Sequence, residues 1–112
     1  MAIMEISVIP LGLGSPSVGD YIADVVRHLQ KEKISHTLTD MGTQVHGDVA
    51  TLLKVAGALH ELPFGRGVKR VITHITLDDR RDKDVRLGEK SASVMARLTE
   101  AHIDFAKLKV DE

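Results

Sequence analysis

The chain has no cysteine and no tryptophan, and its only Phe or Tyr residues are Tyr21, Phe64 and Phe105. Without cysteine there is no disulfide, no thiolate nucleophile and no thiolate-built zinc or iron–sulfur site, and a reducing cytoplasm is the expected address. A metal would have to sit on histidine or carboxylate. So few aromatics argue against recognition by stacking alone, whether of single-stranded bases or of a large flat cofactor. Neither sign of charge dominates, because 15 Lys and Arg face 16 Asp and Glu for a net charge of −1. A nucleic-acid binder would be more basic, and no net field draws the chain to an acidic membrane. No apolar run approaches the length of about 18 residues that a membrane span needs, and the start MAIMEISVIPLGLG carries Glu5 and no basic segment. A soluble, unprocessed chain with neither nucleic acid nor membrane as partner is expected.

What is present suits one folded unit over 1–112, since 43% hydrophobic and 28% charged residues are ordinary for a globular chain. Ala2 to Pro10 alternates, with Met4, Ile6 and Val8 against Glu5, Ser7 and Ile9, and predicts a strand. LGLGSPS interrupts it, and Ser15 or Ser17 is expected to cap a helix with Pro16 near its first turn. Val18, Tyr21, Ile22, Val25, Val26 and Leu29 form the stripe of that helix. Ile34 to Thr39 alternates again, Asp40-Met41-Gly42 reads as a turn, and Thr43 to Gly47 completes a hairpin. Asp48 is placed to cap a second helix with the stripe Val49, Leu52, Leu53, Ala56, Leu59 and Leu62, ended by Pro63, Gly65 and Gly67. Val68 to Leu77 predicts a fourth strand, DDRRDKDVR a charged loop, and Leu87, Val94, Met95, Leu98 and Ala101 a third helix. The tail IDFAKLKVDE suits either a short strand or an irregular segment.

This order is βαββαβ plus one helix, an α+β class in which a ferredoxin-like sandwich orders its strands 4-1-3-2 with both main helices on one face. Met4, Ile6, Val8, Leu38, Val45, Val71, Ile75 and Leu77 are expected to meet the helices. Glu5, Ser7, Ile9, Thr37, Thr39, Gln44, His46, Arg70, Ile72, His74 and Thr76 then share the other face. That face is too apolar for water and too polar for a core, so pairing with a second copy is expected, as a homodimer or homotetramer.

His46, His74 and Glu5 share this face and could ligate a metal, but the two histidines lie about 9–10 Å apart across the sheet, too far for one ion. No metal site is expected. His28 and His36 are expected to be exposed or cap-like, and His60 and His102 to lie at helix ends. Ser7, Ser15 and Ser17 lack the GxSxG elbow of a nucleophile. GLGSPSVG lacks both GxGxxG and GxxxxGK[ST] spacing, which leaves anion binding at a helix start as its one ligand reading. The arginines of DDRRDKD suit a solvated loop, an anion or a neighbouring subunit's carboxylates.

SVIPLG, SPSVGDYI, MGTQVHGD, HELPFGRGVKRVIT and LDDRRDK with a later EK pair follow one another with a spacing that resembles the thiamine-binding protein family. The resemblance implies a ferredoxin-like oligomer that binds thiamine or its hydroxymethylpyrimidine moiety without turning it over, with no cofactor. It matches the family's MGTxxEG pattern at Met41, Gly42, Thr43 and Gly47, and puts His46 where the family usually has Glu. On chemistry alone, an aminopyrimidine needs an apolar slot with convergent donors and acceptors, which Ser7, Thr39, Thr43, Gln44, His46 and His74 beside Ile9 and Ile72 could supply. The alternative is an oligomer, regulatory or structural, whose sheet face is only an interface.

Overall fold

In the computed structural model, residues 1–83 and 87–100 are described. Strand β1 (Ala2–Pro10) buries Ala2, Met4 and Ile6 and turns Glu5 to solvent, the period of two that its sequence carries. It lies between two antiparallel neighbours. On one side it pairs with β3 (Gly42–Gly47), setting Met4 opposite Val45 and Ile6 opposite Thr43. On the other it pairs along its whole length with β4 (Val71–Asp79), from Ala2 opposite Asp79 to Pro10 opposite Val71. A short edge strand β2 (His36–Thr39) joins β3, and the sheet order is β2-β3-β1-β4. With helices α1 (Gly19–Lys31), α2 (Val49–Glu61) and α3 (Glu89–Glu100), this is the expected α+β, ferredoxin-like sandwich with an additional helix.

Helix α2 is apolar along the stripe Leu52, Val55, Ala56 and Leu59, all buried against β1 and β3. Its start is capped by Asp48 as the sequence indicates: one carboxylate oxygen accepts from the Thr51 amide and the other from the Thr51 hydroxyl, each at 2.9 Å. Those two bonds hold the Asp48 carboxyl below its ordinary value. After Glu61 the chain tightens into a 3₁₀ turn, Leu62–Arg66, closed by Gly67 at φ +89°.

Helix α1 departs from expectation at its start. Neither Ser15 nor Ser17 caps it; Val18 occupies the N-cap without a side-chain bond, while the Ser15 hydroxyl accepts from the Ser17 amide and folds the preceding loop on itself. Its far end is a Schellman closure, in which the Lys33 amide bonds to the Gln30 carbonyl and the Ile34 amide to the Leu29 carbonyl. Lys33 takes the left-handed conformation this requires, at φ +55°.

Strand β4 starts three residues later than expected and runs on to Asp79. Its residues Ile75 and Leu77 share the side of Ile6 and Met4, yet they stay 46% and 38% exposed rather than packed under a helix. Helix α2 meets β4 at its last turn, where His60 Nδ1 lies 2.7 Å from the Thr73 hydroxyl, and the outer half of the strand is left uncovered. Helix α3 also keeps Val94 and Met95 exposed, and is tied to β4 by Lys90 on Asp78 at 2.6 Å. Ala101, His102 and the tail lie outside the described residues.

Because a left-handed, non-glycine residue costs about 1 kcal/mol or more, Lys33→Gly is expected to stabilise the chain by up to about 1 kcal/mol after the entropy of the added glycine is set against it. Equilibrium denaturation in urea checks this; a loss of stability would contradict the closure described.

Candidate functional site

The antiparallel register sorts the candidate residues into two sets. Thr43 stands opposite both Ile6 and Leu38 and therefore points to the helix side. Gln44 is paired with Glu5, His46 with Ile3 and His74 with Ser7, all on the face free of the two main helices α1 and α2. Gly47 is at the other end of β3, where a β-carbon would come 3.5 Å from Leu52 Cδ2. One pocket gathering all nine expected residues does not form: Ser7, Thr39, Gln44, His46 and His74 share one face while Thr43 takes the other, and Gln44, His46, Gly47 and His74 lie away from the tip of the hairpin.

Five of them do meet. Ser7, Thr39, Met41, Gly42 and Thr43 line a cavity of about 320 Å³ between α1, β1 and the β2–β3 hairpin, a size at the lower end of small-molecule sites. Its walls are Ile6, Val8 and Ile9 from β1, Val18 at the N-cap of α1, Tyr21, Ile22 and Val25 from α1 itself, Leu38 from the edge strand, and Pro63. Sequence reasoning named Ile9 among these walls, with Ile72, which does not line the cavity, and missed the rest although the stripe of α1 was visible, since a helix stripe reads the same whether it covers a core or a cavity. Asp40 also lines it, and among the described residues of the lining only Asp40 and Tyr21 are ionisable.

The polar groups have distinct states. The Ser7 hydroxyl donates to the Met41 carbonyl at 3.0 Å. The Thr39 hydroxyl donates to the Gly42 carbonyl at 2.8 Å and accepts from the Met41 amide at 3.4 Å, bracketing a turn of Asp40 and Met41. Neither turn residue has positive φ, so Thr39 does here what the mirror-image turns of two-residue hairpins do by backbone twist. Both hydroxyls have spent their proton and keep lone pairs to accept with. Thr43 differs. It is only 4% exposed, and its hydroxyl bonds to no described residue. Among the described residues no fully enclosed side-chain oxygen lacks a partner, so the Thr43 hydroxyl has its access through the cavity.

On the helix-free face, Gln44 donates weakly to Glu5 at 3.4 Å, and Ile9 and Ile72 form an exposed apolar pair in register. His46 and His74 are offset by four residues of β1 as well as by two strands, roughly 16 Å in all, so they cannot share an ion. Among the described residues no group of three or more His, Asp or Glu is placed to hold a metal. His36 lies on the helix side, part-buried, with Nδ1–H donating to the Ile34 carbonyl at 2.7 Å.

Gly42 holds the hairpin against β1. A β-carbon there would come 2.9 Å from Ser7 Oγ and 3.1 Å from the Ile6 carbonyl. Gly42→Ala is expected to displace the Ser7 hydroxyl from Met41 and to cost about 1–3 kcal/mol. Thermal melting and a crystal structure check this; an unchanged Ser7–Met41 bond at unchanged stability would contradict the close approach.

Residues 4–95 match the sequence profile of the family described as thiamine-binding protein. The UPF0045 protein YqgV of Bacillus subtilis is 43% identical over 102 residues, covering 88% of this chain and 98% of that one. A UPF0045 protein of Staphylococcus xylosus, from the glkA 3' region, is 43% identical over 104 residues, covering 89% and 97%. Among solved structures, the protein MJ1052 of Methanocaldococcus jannaschii superimposes with a TM-score of 0.73 at 29% identity, over 83% of this chain and 94% of that one. The match across the sheet, both main helices and the cavity places this chain in the thiamine-binding protein family.

Proposed function

We propose that the cavity between α1 and the β2–β3 hairpin binds thiamine or its hydroxymethylpyrimidine moiety, and that the protein is a carrier, buffer or sensor of that ligand rather than a catalyst. The observation that carries this is the nearly buried Thr43 hydroxyl, which bonds to no described residue and faces an apolar cavity. A hydroxyl that opens only into a cavity gains about 0.5–1.5 kcal/mol from a ligand group that meets it there. The edge nitrogen of an aminopyrimidine is a suitable acceptor for that hydroxyl, and Ile6, Val8 and Ile22, with Tyr21 beside them, hold the ring faces. Asp40 at the rim answers the positive charge of a thiazolium. Membership of the family supports the same ligand. In this reading His46, on the opposite face from the cavity wall, does not touch the ligand, so its replacement of the family's usual Glu leaves the site intact.

Titration calorimetry with thiamine and with hydroxymethylpyrimidine tests the proposal. Saturable binding of at least one is expected, weakened on the order of tenfold by Thr43→Val with no loss of thermal stability. Flat titrations of the unaltered protein into the millimolar range contradict it.

The helix-free face supports a second, compatible reading: the chain assembles with copies of itself through this face, as a homodimer or homotetramer. Ile9 and Ile72 sit together there in the open, with Ser7 and His74 beside them as hydrogen-bonding groups. Light scattering is expected to report a dimer or tetramer, and Ile72→Glu a smaller species. A monomeric unaltered protein overturns this reading.

A further inference from the structure

The cavity ends at Tyr21, and Tyr21 has a second side. It also lines an open cleft of about 490 Å³ that includes Gly12 and Gly14 of the loop after β1, together with Arg66 and Lys69. Among the described residues lining this cleft there is no carboxylate, and with Arg66 paired to Asp24 behind it, Lys69 is the lining cation without an ion pair to a described residue. Arg66 is held in place. Its guanidinium lies over the Tyr21 ring, 5.7 Å from the centroid, and Nε and Nη2 bond to the two oxygens of Asp24 at 2.5 and 3.0 Å. Those bonds engage two of the five N–H groups of an arginine and leave the rest to point elsewhere. Lys69 is exposed and has no ion pair with a described residue. Gly12, at φ +78°, has nothing within 4 Å of where a β-carbon would be, so a ligand can reach the backbone of the loop.

An apolar cavity thus abuts, across one tyrosine ring, a cleft that offers the Lys69 ammonium and the unengaged N–H groups of Arg66. We infer that the site accepts the phosphate monoester of its ligand, the ring system in the cavity and the phosphate on Arg66 and Lys69. This rests on the reading of the cavity as the thiamine site. A phosphate carries about −1.5 to −2 charge and three strong acceptor oxygens, which matches an oriented guanidinium beside a free ammonium. A ligand ending in a bare hydroxyl offers these two cations nothing comparable.

Calorimetric titrations of the full chain with thiamine and with thiamine monophosphate, side by side, test the inference. The ester is expected to bind on the order of tenfold more tightly at low salt, with an advantage that shrinks as salt is added. Lys69→Gln and, separately, Arg66→Gln are expected to lower the ratio of the two affinities severalfold. The Lys69 side chain makes no hydrogen bond or ion pair with a described residue, so its variant remains informative if Arg66→Gln loses stability with its Asp24 bonds. Thiamine binding without any gain from the phosphate overturns this inference alone. Binding of neither compound overturns the reading of the cavity and this inference with it.

Discussion

The structure depends on the position of β1 between two antiparallel neighbours. One strand sets the register of both β3 and β4, so its alternation of Ala2, Met4 and Ile6 against Ile3, Glu5 and Ser7 is imposed on the whole sheet. A slip of one residue would exchange every buried side chain for an exposed one, and the fully buried Met4 and Val45 make that prohibitive. The same constraint decides chemistry. Thr43 and Gln44 are neighbours in the chain, yet one faces an apolar cavity and the other an open sheet.

Two helices then cover a four-stranded sheet incompletely. Helix α2 and the inner half of α1 close the centre around Leu29, Leu52 and Leu59, where nothing is accessible. Toward the hairpin, α1 stands off the sheet, and the space beneath Tyr21, Ile22 and Val25 becomes the cavity. Toward β4 the cover runs out, leaving Ile75 and Leu77 open on the helix side and Ile72 open on the other. The salt link from Arg66 to Asp24 ties the 3₁₀ turn back to α1 beside the cavity wall, and Arg66 holds the Asp24 carboxyl below its ordinary range. The site is therefore bounded by elements distant in sequence but fixed to one another.

Much of this was legible from the chain itself. Periods of two and of three to four placed all four strands and both main helices, because burial acts on every second or every third to fourth side chain. Asp48 was legible as a cap because its carboxylate needs only local partners, whereas Ser15 and Ser17 were not, since the loop they sit in folds onto itself. The site was half legible. Ser7, Thr39, Met41, Gly42 and Thr43 line one cavity, and alternation put Ser7, Thr39, Gln44, His46 and His74 on one face as the register has them, but alternation does not say how far along or across the sheet a residue lies, and Gln44, His46 and His74 fall outside the cavity. The cavity walls on α1 escaped because apolar residues of a helix stripe carry no mark of whether the space before them is filled. Membership of the thiamine-binding protein family, by contrast, was readable from the order of short segments along most of the chain.

The measurement that bears most directly on this account is a crystal structure of the protein grown with thiamine. The account predicts the aminopyrimidine ring inside the cavity under α1, with a ring nitrogen or amino group within hydrogen-bonding distance of the Thr43 hydroxyl. Thiamine seated on the helix-free face beside His46 or His74, with the cavity holding only water, would contradict it.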